Sequence, residues 1–304
     1  MTRPLVPVAA DAPAAPETLS SLDASAAARG DLEALEVELL IEGVRRRWGY
    51  DFTHYSRASV RRRLEQARRE AGLDSLTRLL DRLIRDELLF DRFLKTMSVT
   101  VTEMFRDPAF FRMLRETVVP ALKTFPFVKI WHAGCATGEE AYSLAILLHE
   151  ENFLGRARIY ATDFNKHSLN VARQGVYPQE RMQAYVANYL ASAGARDFSE
   201  YYTAGYGFAK MRHFLKDRIT FSYHNLVTDG VFGEMNLRSC RNVLIYFDKV
   251  LQERVLTLFA DSLRHGGFLC LGGKETLSFA DAKSLFDPMD RKQKIYKKHA
   301  VAHV

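Results

Sequence analysis

"KIWHAGCATGEEAYSLAILL", residues 129–148, changes character twice. It opens as an apolar strand, tightens around Gly134 and Gly138 with small residues between them, and continues as a helix that starts on two glutamates. Strand, glycine turn and helix in immediate succession form the first unit of an open α/β sheet, which binds ligands at the carboxyl ends of its strands. Glycine lets the backbone come close to a ligand, and the free N–H groups at a helix start favour polar or negative groups. A plain strand-to-helix connection would carry the same glycines, so the turn gains meaning only from its neighbours.

Asp163 is the first such neighbour. It ends the next strand, ARIYATD, about 25 residues beyond the turn, where a carboxylate can hold both ribose hydroxyls of a nucleoside. Glu139 and Glu140 point in a second direction. They would repel a pyrophosphate, which speaks against NAD, FAD or ATP, although the helix macrodipole alone also favours acids there. A ligand with a ribose, a positive charge and no phosphate suits them better. S-adenosylmethionine, with an ammonium and a sulfonium on an adenosine, meets that description.

Hydrophobic residues make up 47% and charged residues 26% of the 304, the profile of a globular chain with ample core. No apolar run reaches the length of a membrane span, and the amino-terminal MTRPLVPVAADAPAAP lacks the apolar segment of a secretory signal. Cys135, Cys240 and Cys270 show no metal-ligand spacing, so no metal is expected and a reducing cytoplasm is the simplest setting. The net charge of +6 is compatible with an acidic partner, but where the arginines sit matters more than their number.

Residues 1–30, rich in Ala, Pro, Ser and Asp without periodicity, read as a disordered tail. Residues 31–118 read as a helical domain. Its clearest piece is SRASVRRRLEQARREAG, 56–72, with Val60, Leu64, Ala67 and Ala71 on one face, Ser56 as N-cap and Gly72 as stop. Arg57, Arg61, Arg62, Arg63, Arg68 and Arg69 fill the remaining surface against only Glu65 and Glu70. Such a face is either solvated or turned toward an anion. From residue 119 to 304 strands and helices alternate, which implies a parallel sheet with helices on both faces. The rhythm breaks at about 176–218, an insertion of short strands, and RITFSYHNL and NVLIYF then read as further strands.

Four stretches carry a family resemblance: VTVTEMFRDPAFF (99–111), WHAGCATGEEAYSLA (131–145), ATDFN (161–165) and CRNVLIYFD (240–248). In this order and spacing the chain resembles the CheR-type chemotaxis receptor glutamate methyltransferases over roughly 32–298. The resemblance implies a Rossmann-like class I methyltransferase sheet with a small antiparallel β insertion, preceded by an all-α domain. It implies S-adenosylmethionine as donor, S-adenosylhomocysteine as product, and glutamate carboxylates of a chemoreceptor's cytoplasmic helical bundle as acceptors. It places Thr100, Thr102, Arg106, Gly134, Glu139 with Glu140, Asp163, Asn225, Leu226, Arg241 and Asn242 around the donor. Arg106 and Tyr246 fall on the acceptor side as catalytic residues. Arg57, Arg61, Arg62 and Arg68 then become candidates for docking the receptor.

Several positions depart from the family pattern. Thr100 stands where Asn is usual, Met104 replaces an aromatic residue, and Asn236 replaces Asp. Arg238 and Ser239 fall where the fourth strand is apolar, and a buried unpaired arginine is costly. Gly273 and Lys274 replace the usual His and Ser before Glu275. The rival readings are a CheR-like regulatory module that binds the donor or another nucleotide without turnover, and a nucleic-acid methyltransferase. The latter usually carries an Asn/Asp-Pro-Pro-aromatic signature at its base-flipping pocket, absent from this sequence, so no nucleic-acid partner is expected. The chain is expected to be a cytoplasmic monomer.

Overall fold

The computed structural model of the chain describes residues 19–98, 100–277 and 284–299. Helix α1 (Leu19–Trp48) starts inside the stretch read as a tail, and residues 1–18 lie outside the described residues. Its sequence explains the start: residues 19–30 hold no proline and are rich in alanine, the strongest helix former. Helices α2 (Arg57–Glu70), α3 (Leu76–Leu83) and α4 (Glu87–Met97) complete the helical domain. Ser75 and Asp86 cap α3 and α4 by accepting the backbone N–H of Arg78 and Leu89. Gly72, left-handed at φ 68°, follows the end of α2 as expected.

The next helices belong to the other domain. Helix α5 (Pro108–Met113), a π-turn (Leu114–Val118) and α6 (Val119–Leu122) bury Phe110, Phe111, Leu114, Val118 and Leu122 in the core beneath the sheet. Packing thus puts the division close to residue 98, well before 118.

Strand β1 (Val128–Ala133) is buried at every position except Lys129, the mark of a central strand covered on both faces. It leads into α7 (Glu139–Glu150), β2 (Ala157–Asp163) and α8 (Lys166–Gln174). The insertion holds β3 (Val176–Pro178), β4 (Tyr202–Gly205) and β5 (Phe208–Met211), paired antiparallel in the order β3-β5-β4. It also holds a ten-residue helix, α9 (Met182–Ala191, between β3 and β4), and is followed by the short α10 (His213–Lys216). Strands β6 (Ile219–Tyr223) and β7 (Met235–Cys240), helix α11 (Lys249–Ser262), and strands β8 (Leu263–Leu271), β9 (Phe286–Asp290) and β10 (Ile295–Lys298) finish the fold. The main sheet runs β6-β2-β1-β7-β8-β10-β9; its first five strands are parallel, and β10 is antiparallel to both neighbours.

NVLIYF is not a strand. Residues Leu244–Tyr246 form a 3₁₀ turn, and the strand is MNLRSC, buried at all six positions. The backbone N–H groups of Asn242, Val243 and Leu244 donate to the buried carboxylate of Glu275 and cannot join a ladder.

One core lies between the sheet and the face covered by α5–α9. The other joins the opposite face, with Trp131, Phe259 and Leu269, to Leu40, Leu64, Phe90 and Phe93 of the helical domain. The helical domain is therefore anchored to the sheet through shared apolar packing. Among the described residues no helix is long and apolar enough to cross a membrane.

Candidate functional site

The carboxyl ends of β1, β2 and β7 face the helical domain across a cleft. Gly134 in its wall is left-handed (φ 72°), and a Cβ there would lie 2.4 Å from Val243 Cγ2. Both the backbone angle and the approach of the loop after β7 require glycine. Asp163 braces the turn: Oδ2 accepts the N–H of Ala136 at 2.9 Å and Oδ1 that of Asn165 at 2.8 Å. Burial raises its pKa, and these backbone donors oppose the rise. Its carboxylate forms part of the cleft wall with lone pairs left for hydroxyl donors.

The paired glutamates part company, because adjacent helix positions point about 100° apart. Glu140 lies in the cleft wall; Glu139 does not. Glu139 is fully buried on the insertion side, where it accepts from Thr137 Oγ1 at 2.6 Å and Tyr185 Oη at 3.4 Å, with Arg181 3.7 Å away. Burial pushes its carboxyl up to about 7, against these contacts. Glu139, expected with Glu140 around the donor, therefore lies outside the cleft wall. Glu140 accepts from Ser239 Oγ at 2.7 Å and Arg241 Nη1 at 2.9 Å, and His132 Nε2 lies 3.4 Å away. Burial alone would raise Glu140, but Arg241, with His132 and Ser239, outweighs it and holds the carboxyl low. Arg241 also binds Asp107 at 2.6 Å and lies 3.9 Å over the Phe110 ring.

The linker between the domains supplies Thr100, exposed, and Thr102, half-buried. Arg106 follows, set between two left-handed residues, Phe105 (φ 52°) and Asp107 (φ 58°), and donates to the Val101 carbonyl at 3.3 Å. Such backbone persists only where the surroundings fix it. Here the Phe105 N–H donates to Ser143 Oγ of α7 at 2.9 Å. After β6, Asn225 and Leu226 are buried in the wall, with Asn225 Oδ1 accepting the Val227 N–H at 3.0 Å. After β7, Asn242 is left-handed (φ 62°) and lines the same wall.

Tyr246 sits where the two domains meet. The Ser56 N–H donates to its carbonyl at 2.8 Å, and the Asp248 N–H donates to His54 at 2.8 Å. The Arg63 guanidinium lies 4.7 Å over its ring and donates to the Met97 carbonyl. Arg63 is buried and lines the cleft, so it does not belong to the exposed arginine face. The signal was present in the sequence: it stands three residues after Val60 and beside Leu64, inside the apolar stripe. Tyr55 and His132 also line the cleft without having been singled out. Glu275 acts from behind it, accepting the N–H groups of Asn242, Val243, Leu244 and Gly272.

On the outer face of α2, Arg57, Arg61 and Arg62 are exposed, Arg61 pairing with Glu33 at 2.5 Å. Arg68 is half-buried and committed to Glu65 at 2.9 Å and the Leu73 carbonyl at 2.7 Å, so it leaves the docking set. Arg238, on β7, is wholly buried; its guanidinium stacks 3.1 Å from the Trp131 ring centre and 4.3 Å from that of Phe259, and among the described residues none of its nitrogens has a hydrogen-bond partner.

A parallel sheet closed by an antiparallel strand between its last two neighbours, with carboxylates at the ends of β1 and β2, defines a Rossmann-like methyltransferase. Residues 100–295 match the CheR methyltransferase SAM-binding domain, and residues 35–98 the CheR methyltransferase all-alpha domain. The chain belongs to the CheR methyltransferase family, whose donor is S-adenosylmethionine. The protein designated Cher3 of Pseudomonas putida is 49% identical over 264 residues, 87% of this chain and 97% of its own. A chemotaxis protein methyltransferase of Listeria innocua is 30% identical, covering 77% of this chain and 87% of its own. The one of Salmonella typhimurium is also 30% identical, over 76% and 80%.

Proposed function

We propose that this chain methylates glutamate side chains of chemoreceptors in the cytoplasm, forming glutamyl methyl esters. The observation that carries the reading is the seam at Tyr246. A cleft suited to the donor opens between the sheet and a helical domain whose outer surface bears Arg57, Arg61 and Arg62. The names of the Listeria and Salmonella relatives support a chemotactic acceptor.

The wall fits S-adenosylmethionine. Asp163 would hold the ribose hydroxyls, Leu226 and Asn225 the adenine, and the Glu140 wall with Thr102 the amino-acid end. The donor supplies an electrophilic methyl group on a positive sulfonium, and its transfer to a carboxylate leaves a methyl ester and S-adenosylhomocysteine. An acceptor glutamate, with a solution pKa of about 4.3, is already ionised near neutral pH, so no general base is needed. The chain's contribution is alignment. Arg106 orients the incoming carboxylate, Tyr246 guides it through its hydroxyl, and Arg63 fixes the tyrosine ring and adds positive charge nearby.

Incubating the protein with isotopically labelled donor and a receptor cytoplasmic fragment, followed by mass analysis of receptor peptides, tests this. Label on glutamate is expected in the wild type and strongly reduced in Arg106→Ala. Label on another residue type, or none while the donor binds, would overturn it; the second outcome is that of a regulatory module without turnover.

A further inference from the structure

The segment after β7 brings Arg241, Asn242, Val243 and Tyr246 into the cleft wall without the support of a strand ladder. One buried carboxylate takes the ladder's place. Glu275 Oε1 accepts the N–H groups of Val243 and Leu244, both at 2.8 Å; Oε2 accepts those of Asn242, at 3.1 Å, and Gly272. Gln252 of α11 serves the carbonyl side, its Nε2 donating to Leu244 at 2.9 Å and Phe247 at 3.0 Å. The cradle is closely fitted. A Cβ on Gly272 would lie 2.7 Å from the Asn242 nitrogen and 2.9 Å from Glu275 Oε2. Asn242 is left-handed, a backbone angle that persists only where its surroundings fix it. Burial raises the Glu275 carboxyl, and the backbone donors oppose the rise.

The two ends of this segment depend on Glu275 unequally. Arg241 is anchored separately, by Glu140 at 2.9 Å and Asp107 at 2.6 Å. Val243 and Leu244 lead straight into the 3₁₀ turn that ends on Tyr246, and theirs are the N–H groups that Glu275 gathers. Losing the carboxylate therefore frees the acceptor end of the wall more than the donor end.

We infer that Glu275 is a positioning residue for methyl transfer: by gathering the N–H groups of Asn242, Val243 and Leu244 it sets where the Tyr246 hydroxyl stands before the acceptor carboxylate. The inference rests on the proposed function and on Tyr246 guiding the acceptor. Glu275 itself lies behind the cleft wall and acts only through the segment it holds.

Glutamine keeps the shape of Glu275 but turns an amide NH₂ toward two backbone donors, whichever way it sits. In methylation of a receptor cytoplasmic fragment, Glu275→Gln should lower kcat several-fold, about as far as Tyr246→Phe does. Calorimetry should find its S-adenosylmethionine affinity within about threefold of wild type, since the loss falls on alignment and not on donor binding. In a Tyr246→Phe background the same substitution should cost no more than about twofold in kcat, because the hydroxyl it would misplace is already gone. Glu275→Asp, with its acceptors on a shorter arm, should fall between wild type and Glu275→Gln, and it carries the same cycle if glutamine prevents folding. Equal losses in both backgrounds, or donor affinity that falls in step with kcat, would overturn the inference and leave Glu275 a structural residue. Full turnover in Tyr246→Phe would overturn it too, with glutamate methylation still standing. A wild-type chain that methylates no receptor glutamate would overturn the functional reading, and this inference with it.

Discussion

At the scale of single residues, the two glutamates that open α7 show how adjacent side chains acquire different work. Glu140 faces the cleft and Glu139 the insertion. Glu140→Gln should weaken S-adenosylmethionine by about 1–3 kcal/mol, because a buried charged contact is lost. Glu139→Gln should leave donor affinity unaltered in the same titration. Equal losses would return Glu139 to the donor site. Glu139 also gives the fold a pH signature. Its carboxyl stays protonated in the folded chain up to about 7, while the unfolded chain ionises near 4.5. The folded state therefore binds more protons in that interval. Its contribution to stability is full below about pH 4.5 and falls by about 3 kcal/mol as pH rises through 7. Glu139→Gln should flatten this part of the profile and exceed the wild type in denaturant midpoint above pH 7. A variant whose profile still falls with the wild type's would contradict the assignment.

At the scale of elements, the first βα unit and Asp163 could be read from the sequence because strand, glycine turn and acid are local patterns. ARIYATD is β2 to the residue. What could not be read was decided by tertiary contacts. NVLIYF has the composition of a strand, but Glu275, about 30 residues further on, takes the backbone donors a strand would need. Arg63 has the composition of a surface helix position, yet it packs inward because Tyr246 and the Met97 carbonyl receive it. Which of Glu139 and Glu140 faces the cleft is decided by distant partners, Tyr185 of the insertion and Arg241 after β7, which local pattern does not bring near. Arg238 is the clearest conflict between residue and element. It stacks on Trp131, but among the described residues its donors find no partner, and it sits in a central strand. Replacing a buried charge with an apolar side chain of similar volume is often stabilising. Arg238→Leu should raise stability by about 1–3 kcal/mol, read as a higher Tm with donor affinity unchanged. A lower Tm would mean that the stacked guanidinium is worth more than its desolvation costs.

At the scale of the whole molecule, the helical domain and the sheet share one core and line one cleft, so the exposed arginines of α2 are carried on a domain packed directly against the cleft wall. Arg57, Arg61 and Arg62 remain on the open face of α2 after Arg63 and Arg68 are removed from it. The double substitution Arg61→Glu and Arg62→Glu should reduce apparent receptor affinity several-fold at low ionic strength and progressively less as salt rises, since exposed charges act through a screened field. Donor affinity should not change. If receptor affinity is unaffected even at low salt, the helix is only a solvated face. The central claim, ester formation on receptor glutamates, is tested most directly by the lability of the transferred methyl group. Receptor fragment is incubated with methyl-labelled S-adenosylmethionine and the protein, then treated with mild alkali. The account predicts label released as volatile methanol, in wild type but scarcely in Arg106→Ala. Label that stays on the receptor through alkali would mark a different acceptor atom and contradict it.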